Sequence, residues 1–266
     1  MLDELLETLL YEGYALYPYT PGATKNATPT PFGIVYPPAY AAECSSAFDH
    51  ARLECFAAPE DGATLSAVLR YLSADGERHQ AQPRRVELGA LALGERHSVE
   101  FEGGRFTLRS ELPDAGARVL VRACVHNTAV VAPGLERSEA LRHALISTQI
   151  LVTISAGRFI SPLELPSASV NIWPVLATAD DDCVLGAAIV LPDHPQIAAG
   201  SFGSLFEGTE IEEALMLHVH TLSEEEREQA AAADPAVAAM LQRALSVSTA
   251  EIVSLHSGLR ESSDGQ

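Results

Sequence analysis

The sequence predicts a mainly β protein: an antiparallel β-sandwich with an extended, Pro- and Tyr-rich N-terminal arm and short C-terminal helices. Three observations predict it. Apolar and polar residues alternate with period two from about residue 51 to 222, broken by Gly, Pro and Asp. A glycine pair joins two such alternating runs near residue 103. Finally, the spacing of the runs gives no regular strand-helix-strand succession, which argues against a doubly wound nucleotide-binding sheet.

The N-terminus reads as a short amphipathic helix, with Leu2, Leu5, Leu6, Leu9 and Leu10 at helical spacing and Gly13 expected to end it. Tyr14 to Tyr40 then holds five of the seven tyrosines and six of the sixteen prolines. Fixed φ angles and missing donors predict an extended arm without regular helix or central strand, its rings packed onto the core.

In the hairpin, Ser98–Glu102 is predicted to meet Arg105–Arg109 across Gly103 and Gly104, with Phe101 facing Phe106, Val99 facing Leu108 and Glu102 facing Arg105. From Ala117 to Val125, Val119, Val121, Ala123 and Val125 share one face while Arg118, Arg122 and Cys124 share the other. Further strands are expected at 51–57, 64–72, 148–155, 172–178, 184–191 and 211–222, with a short helix between Ser138 and Ala144. Ser223 and Glu226 form a capping-box pattern, so a helix should start at Ser223. Val237, Met240, Leu241 and Leu245 form the stripe of another, and a third is expected at 249–259. Three regions follow: 1–47, the helix and arm; 48–222, the sandwich; and 223–266, the C-terminal helices.

The 266 residues include 36 acidic and 17 basic side chains, a net charge of −19, which repels phosphate backbones and anionic lipid alike. Nucleic acid and membrane are therefore poor partners. Acids at Asp3, Glu4 and Glu7 do not suit a secretory leader, so a cytoplasmic location is expected. Cys44, Cys55, Cys124 and Cys183 are scattered without a C-x-x-C pair and read as reduced thiols.

Chemistry-bearing motifs are sparse. The sequence has no G-x-S-x-G elbow and no phosphate-cradling glycine loop. His218 and His220 lie two apart on a predicted strand and would project together, so they are the sharpest metal candidates, with Asp193 and Glu210 as further ligands. The simpler reading is two partly exposed imidazoles. Asp180–Asp182 reads as a solvated turn. Trp173 is the only tryptophan, and an indole on a strand mainly contributes buried area, which favours a core position. With Tyr17, Tyr19, Lys25 and Asn26 of the arm, it is also a candidate for partner binding. No cofactor is called for.

Several segments are similar to a known family. Tyr11-Glu12-Gly13-Tyr14 through Leu16-Tyr17-Pro18-Tyr19, Lys25-Asn26, and Phe32-Gly33 with Tyr36-Pro37 stand near the start. Trp173-Pro174-Val175-Leu176, Pro195-Gln196-Ile197-Ala198 and the stretch from Leu205 to Glu213 follow. In this order they resemble a bacterial family whose genes occur beside those for nickel-iron hydrogenases and their maturation factors, over nearly the whole chain. The resemblance implies a cytosolic accessory whose partner is a protein client, a hydrogenase subunit or maturation factor. It brings no established activity, cofactor or catalytic residue. The sequence departs from the family at Thr20, Thr28 and Thr30, where arginines are usual, and at His194, where a tyrosine is. Those changes weaken any role of the arm as a basic docking strip. The expectation is a non-catalytic binding factor acting through arm and sheet edge, with a metal-binding protein or metal-dependent enzyme using His218 and His220 as the alternative.

Overall fold

The computed structural model describes residues 2–15, 33–75, 80–111 and 118–196, together with residues 228 and 242. The chain forms two antiparallel five-stranded sheets packed face to face, as the alternation predicts. The strands are β1 (His50–Pro59), β2 (Thr64–Asp75), β3 (Gln80–Ala92), β4 (Arg96–Phe101), β5 (Gly104–Glu111), β6 (Val119–Asn127), β7 (Ile146–Ile154), β8 (Gly157–Phe159), β9 (Trp173–Leu176) and β10 (Cys183–Ala187). The first sheet has the order β4-β5-β6-β1-β8 and the second β3-β2-β7-β10-β9. Helices α1 (Leu2–Ala15), α2 (Pro38–Glu43) and α3 (Arg137–Leu141) complete the described elements.

Alternation puts one side chain of every two into the space between the sheets. Leu53 and Cys55 of β1, Phe106 and Leu108 of β5, and Val121 and Val125 of β6 meet Leu65 and Leu69 of β2, Ile150 and Val152 of β7 and Val184 of β10. Burying a Leu, Val or Phe side chain is worth about 1.5–3 kcal/mol, so this layer supplies the main driving force. In β6 the predicted faces are observed: Val119, Val121, Ala123 and Val125 are buried, and Arg122 and Cys124 lie on the other side.

The second sheet is covered on its outer face as well. Leu5, Leu6 and Leu9 of α1 pack on Leu151, Val175, Cys183 and Leu185. Gln149 donates from Nε2 to the Leu6 carbonyl at 3.0 Å, and the Ser147 hydroxyl donates to the Leu9 carbonyl at 3.3 Å. These bonds let two buried polar residues of β7 face a helix, which is why nearly the whole of β7 is buried.

Several expectations are corrected. The helix α1 passes Gly13 and reaches Ala15, the last described residue of this segment. Its stripe of leucines is held by the sheet, and packing outweighs the modest helix penalty of one glycine. The predicted arm contains a helix after all: Pro38 begins α2, because a proline is tolerated where the first helical amide has no partner. The end of the arm does pack down. Val35 bridges Phe48 and Leu145, and Tyr36 is buried.

The β4–β5 hairpin is slipped by two residues from the predicted register. Val99 pairs with Phe106, Glu100 with Arg105 and Phe101 with Gly104. The turn is Glu102–Gly103, and Gly103 carries the positive φ of 82° that the two-residue turn needs. A slip of two preserves the faces, so apolar and charged pairs still segregate. Strands β3 and β8 have no counterpart among the expected strands. β3 contains Pro83, Arg84 and Arg85, which read as a breaker and charge but suit an edge strand. The helix at α3 and the Asp180–Asp182 turn between β9 and β10 are as expected. Glu228 and Gln242 are helical and exposed; the rest of the C-terminal helices and the strand at 211–222 lie outside the described residues.

Candidate functional site

Two regions of the described surface concentrate exposed aromatic or charged side chains. One is the β9 edge of the second sheet. The other is the outer face of the first sheet.

Trp173 opens β9 and is 57 % exposed, so the core position favoured by its residue type is corrected. Alternation places it on the same face as the buried Val175, beyond the patch that α1 covers. Val190 and Leu163 are also large, exposed apolar residues. The outward main chain of β9 offers an added strand no free amide. The Leu176 amide donates to Asp193 Oδ1 at 2.9 Å and the Leu176 carbonyl accepts from the His194 amide at 2.7 Å. Pro174, two residues earlier and facing the same way, has no amide hydrogen.

Asp193 therefore has a structural task. One carboxylate oxygen holds Leu176 and the other accepts from the Ser161 hydroxyl, which ties two loops to the edge strand. Next to it, His194 Nε2 lies 2.7 Å from Asp181 Oδ1, and both residues have positive φ, 56° and 58°. Their side-chain bond offsets part of the cost of that backbone conformation.

The outer face of the first sheet is a polar lattice set by register. One row runs Arg96, Arg109, Arg122, Glu54 across β4, β5, β6 and β1. The next runs Ser98, Thr107, Cys124, Arg52, and the one beyond it Glu100, Arg105, His126, His50. Glu54 is nearly buried and is held by Arg122, while the Ala168 amide donates to its other oxygen at 3.0 Å. Burial pushes the Glu54 carboxyl up, but the Arg122 guanidinium, the Ala168 amide and the charge of Arg52 outweigh it and hold the group below the usual range. Arg52 grips the Ala168 carbonyl through Nε and Nη2 at 3.0 and 2.7 Å, and its backbone pairs with Val170. The segment 167–170 thus closes the β1 edge.

In the third row the His50 and His126 rings stack at 5.4 Å, and His50 Nδ1 lies 2.7 Å from Asp49. Cys124 Sγ is 3.7 Å from His126 Nδ1, yet burial pushes the thiol up to about 11, so it stays protonated near neutrality. Among the described residues no group of three or more His, Cys, Asp or Glu is placed to hold a metal.

Of the residues singled out from sequence, Trp173 and Asp193 are described, at the same edge. Tyr17, Tyr19, Lys25, Asn26, Glu210, His218 and His220 lie outside the described residues. The arginine lattice is not legible in the sequence. Alternation shows which residues share a face within one strand, but the rows appear only once register is known. Among the described residues, no helix is long and apolar enough to cross a membrane. No protein-family model matches the chain, and no curated protein matches it.

Proposed function

We propose that this protein is a non-catalytic cytoplasmic binding factor that recognises a protein client, a hydrogenase subunit or maturation factor, during nickel-iron hydrogenase assembly. The observation that carries the binding reading is Trp173, 57 % exposed at the end of an edge strand whose outward Leu176 amide and carbonyl are already occupied. Tryptophan is enriched among residues that dominate interface energetics, since it removes a large apolar area from water and keeps an N–H for a partner. With the β9 edge capped, recognition here uses the ring rather than strand addition. The hydrogenase context is supported by the ordered sequence motifs, Trp173-Pro174-Val175-Leu176 among them.

The test is affinity purification of the full chain and of Trp173→Ala from native cells, probing for hydrogenase subunits and maturation factors. The native protein should capture at least one, and the variant roughly tenfold less, with an unchanged thermal midpoint because the ring is exposed. Failure of the native chain to capture any of them refutes the hydrogenase assignment. Equal capture by the variant refutes the role of Trp173.

A further inference from the structure

The row Arg96–Arg109–Arg122 places three guanidinium groups directly opposite one another on β4, β5 and β6. Directly opposed residues have Cβ atoms about 4.5–5.5 Å apart, and like charges there destabilise a sheet. Compensation is uneven. Arg122 is paired with both Glu54 and Glu111. Arg109 shares Glu111 at 3.4 Å. Arg96 is exposed and has no ion-pair partner among the described residues. Along this row the positive charge is therefore least compensated at Arg96, while Glu100 on the same face of β4 is taken by Arg105 at 3.7 Å, in a chain whose net charge is −19. Beside Arg96 and Arg109 the Ser98 and Thr107 hydroxyls hydrogen-bond each other at 2.9 Å, with Thr107 buried, so the arginines are the groups left to meet an acid.

We propose that the outer face of β4 and β5 docks an acidic segment of a protein partner, with its carboxylates between Arg96 and Arg109. Guanidinium groups present planar forks that match carboxylates, and adjacent forks on a rigid sheet are set before binding. Charge complementarity selects the occupant. A polynucleotide brings a dense phosphate charge that meets the repulsion of the whole acidic molecule. A short acidic segment brings few charges and feels mainly the local row. The proposal deepens the binding-factor reading and rests on it for the occupant being a protein; it uses a surface separate from Trp173.

The experiment titrates a labelled octapeptide of alternating Glu and Ser, capped at both ends, with the full chain, followed by fluorescence anisotropy. Binding should saturate and weaken strongly from about 20 to about 300 mM NaCl. Arg96→Ala and Arg109→Ala should each weaken it roughly tenfold. Arg142→Ala, which removes an arginine paired with Glu139 on α3, should not. Relief of like-charge repulsion should leave the thermal midpoint of Arg96→Ala unchanged or raised. A lowered midpoint overturns the proposal, because the row would then be holding the sheet together. Equal binding of a Gln/Ser octapeptide, tighter binding of single-stranded DNA, or no binding because the chain's own acids fill the row also overturns it. Peptide binding without capture of a hydrogenase protein leaves the row standing and fails the hydrogenase reading. Capture without peptide binding does the reverse.

Discussion

The ring of Phe101 lies over Gly104, its direct cross-strand partner, in the space where a side chain would stand. A Cβ on Gly104 would come within 2.3 Å of that ring. The aromatic ring covers the glycine backbone and also reaches Tyr71, at 5.7 Å between centroids, which joins the hairpin to the other sheet.

Gly104→Ala should therefore destabilise the fold by about 1–3 kcal/mol, the cost of overpacking. In a Phe101→Ala background the same change should cost less than half as much, since the clash is gone. Urea unfolding of the four proteins in this double-mutant cycle measures the coupling. Additive effects would mean that the ring does not sit on the glycine.

Glu54 and Arg122 form the most enclosed ion pair described, and removing one member strands the other. Glu54→Gln should cost roughly 2–3 kcal/mol, less than for a fully buried pair because Arg122 keeps Glu111. The folded carboxyl titrates below its ordinary 4.5. Its contribution is complete above that pH and is lost as pH falls through the folded value. The native protein should show this acid limb in its stability profile, and Glu54→Gln should lack it.

His126 carries the opposite chemistry with the same sign. Burial first, and His50 second, hold its imidazole below the ordinary 6.5. The unfolded chain binds a proton at a higher pH than the folded one. Stability therefore rises with pH between the depressed value and 6.5, and declines as pH drops through that interval. Histidine NMR should place the His126 midpoint below 6.5, and His50→Gln should raise it by removing the electrostatic influence of the stacked imidazole.

The thiols should separate by environment. Hydrogen bonds from Ser46 lower the Cys44 pKa, whereas burial raises those of Cys55, Cys124 and Cys183. Iodoacetamide near neutral pH should alkylate Cys44 first and Cys55 last, as peptide mass spectrometry of a time course would record. Early modification of Cys124 would contradict its half-buried, protonated state.

The residues by themselves determined the fold class, the strand faces and the N-terminal helix, because alternation and helical spacing are local and each strand or helix carries its own pattern. Val119 to Val125 announce their buried face without reference to any partner. Tertiary structure alone decided what depends on which strands meet, and at which residue. The hairpin slip at Gly103 preserves both faces, so the period-two pattern is the same for either register, and only the fit of Phe101 over Gly104 distinguishes them. In the same way, Arg96, Arg109 and Arg122 are unremarkable residues of three separate strands until pairing sets them side by side. Trp173 is apolar by composition and exposed by position, since it stands at the end of an edge strand beyond the reach of α1. Burial and charge rows are properties of neighbours, and the linear order of residues does not specify neighbours that lie far apart along the chain.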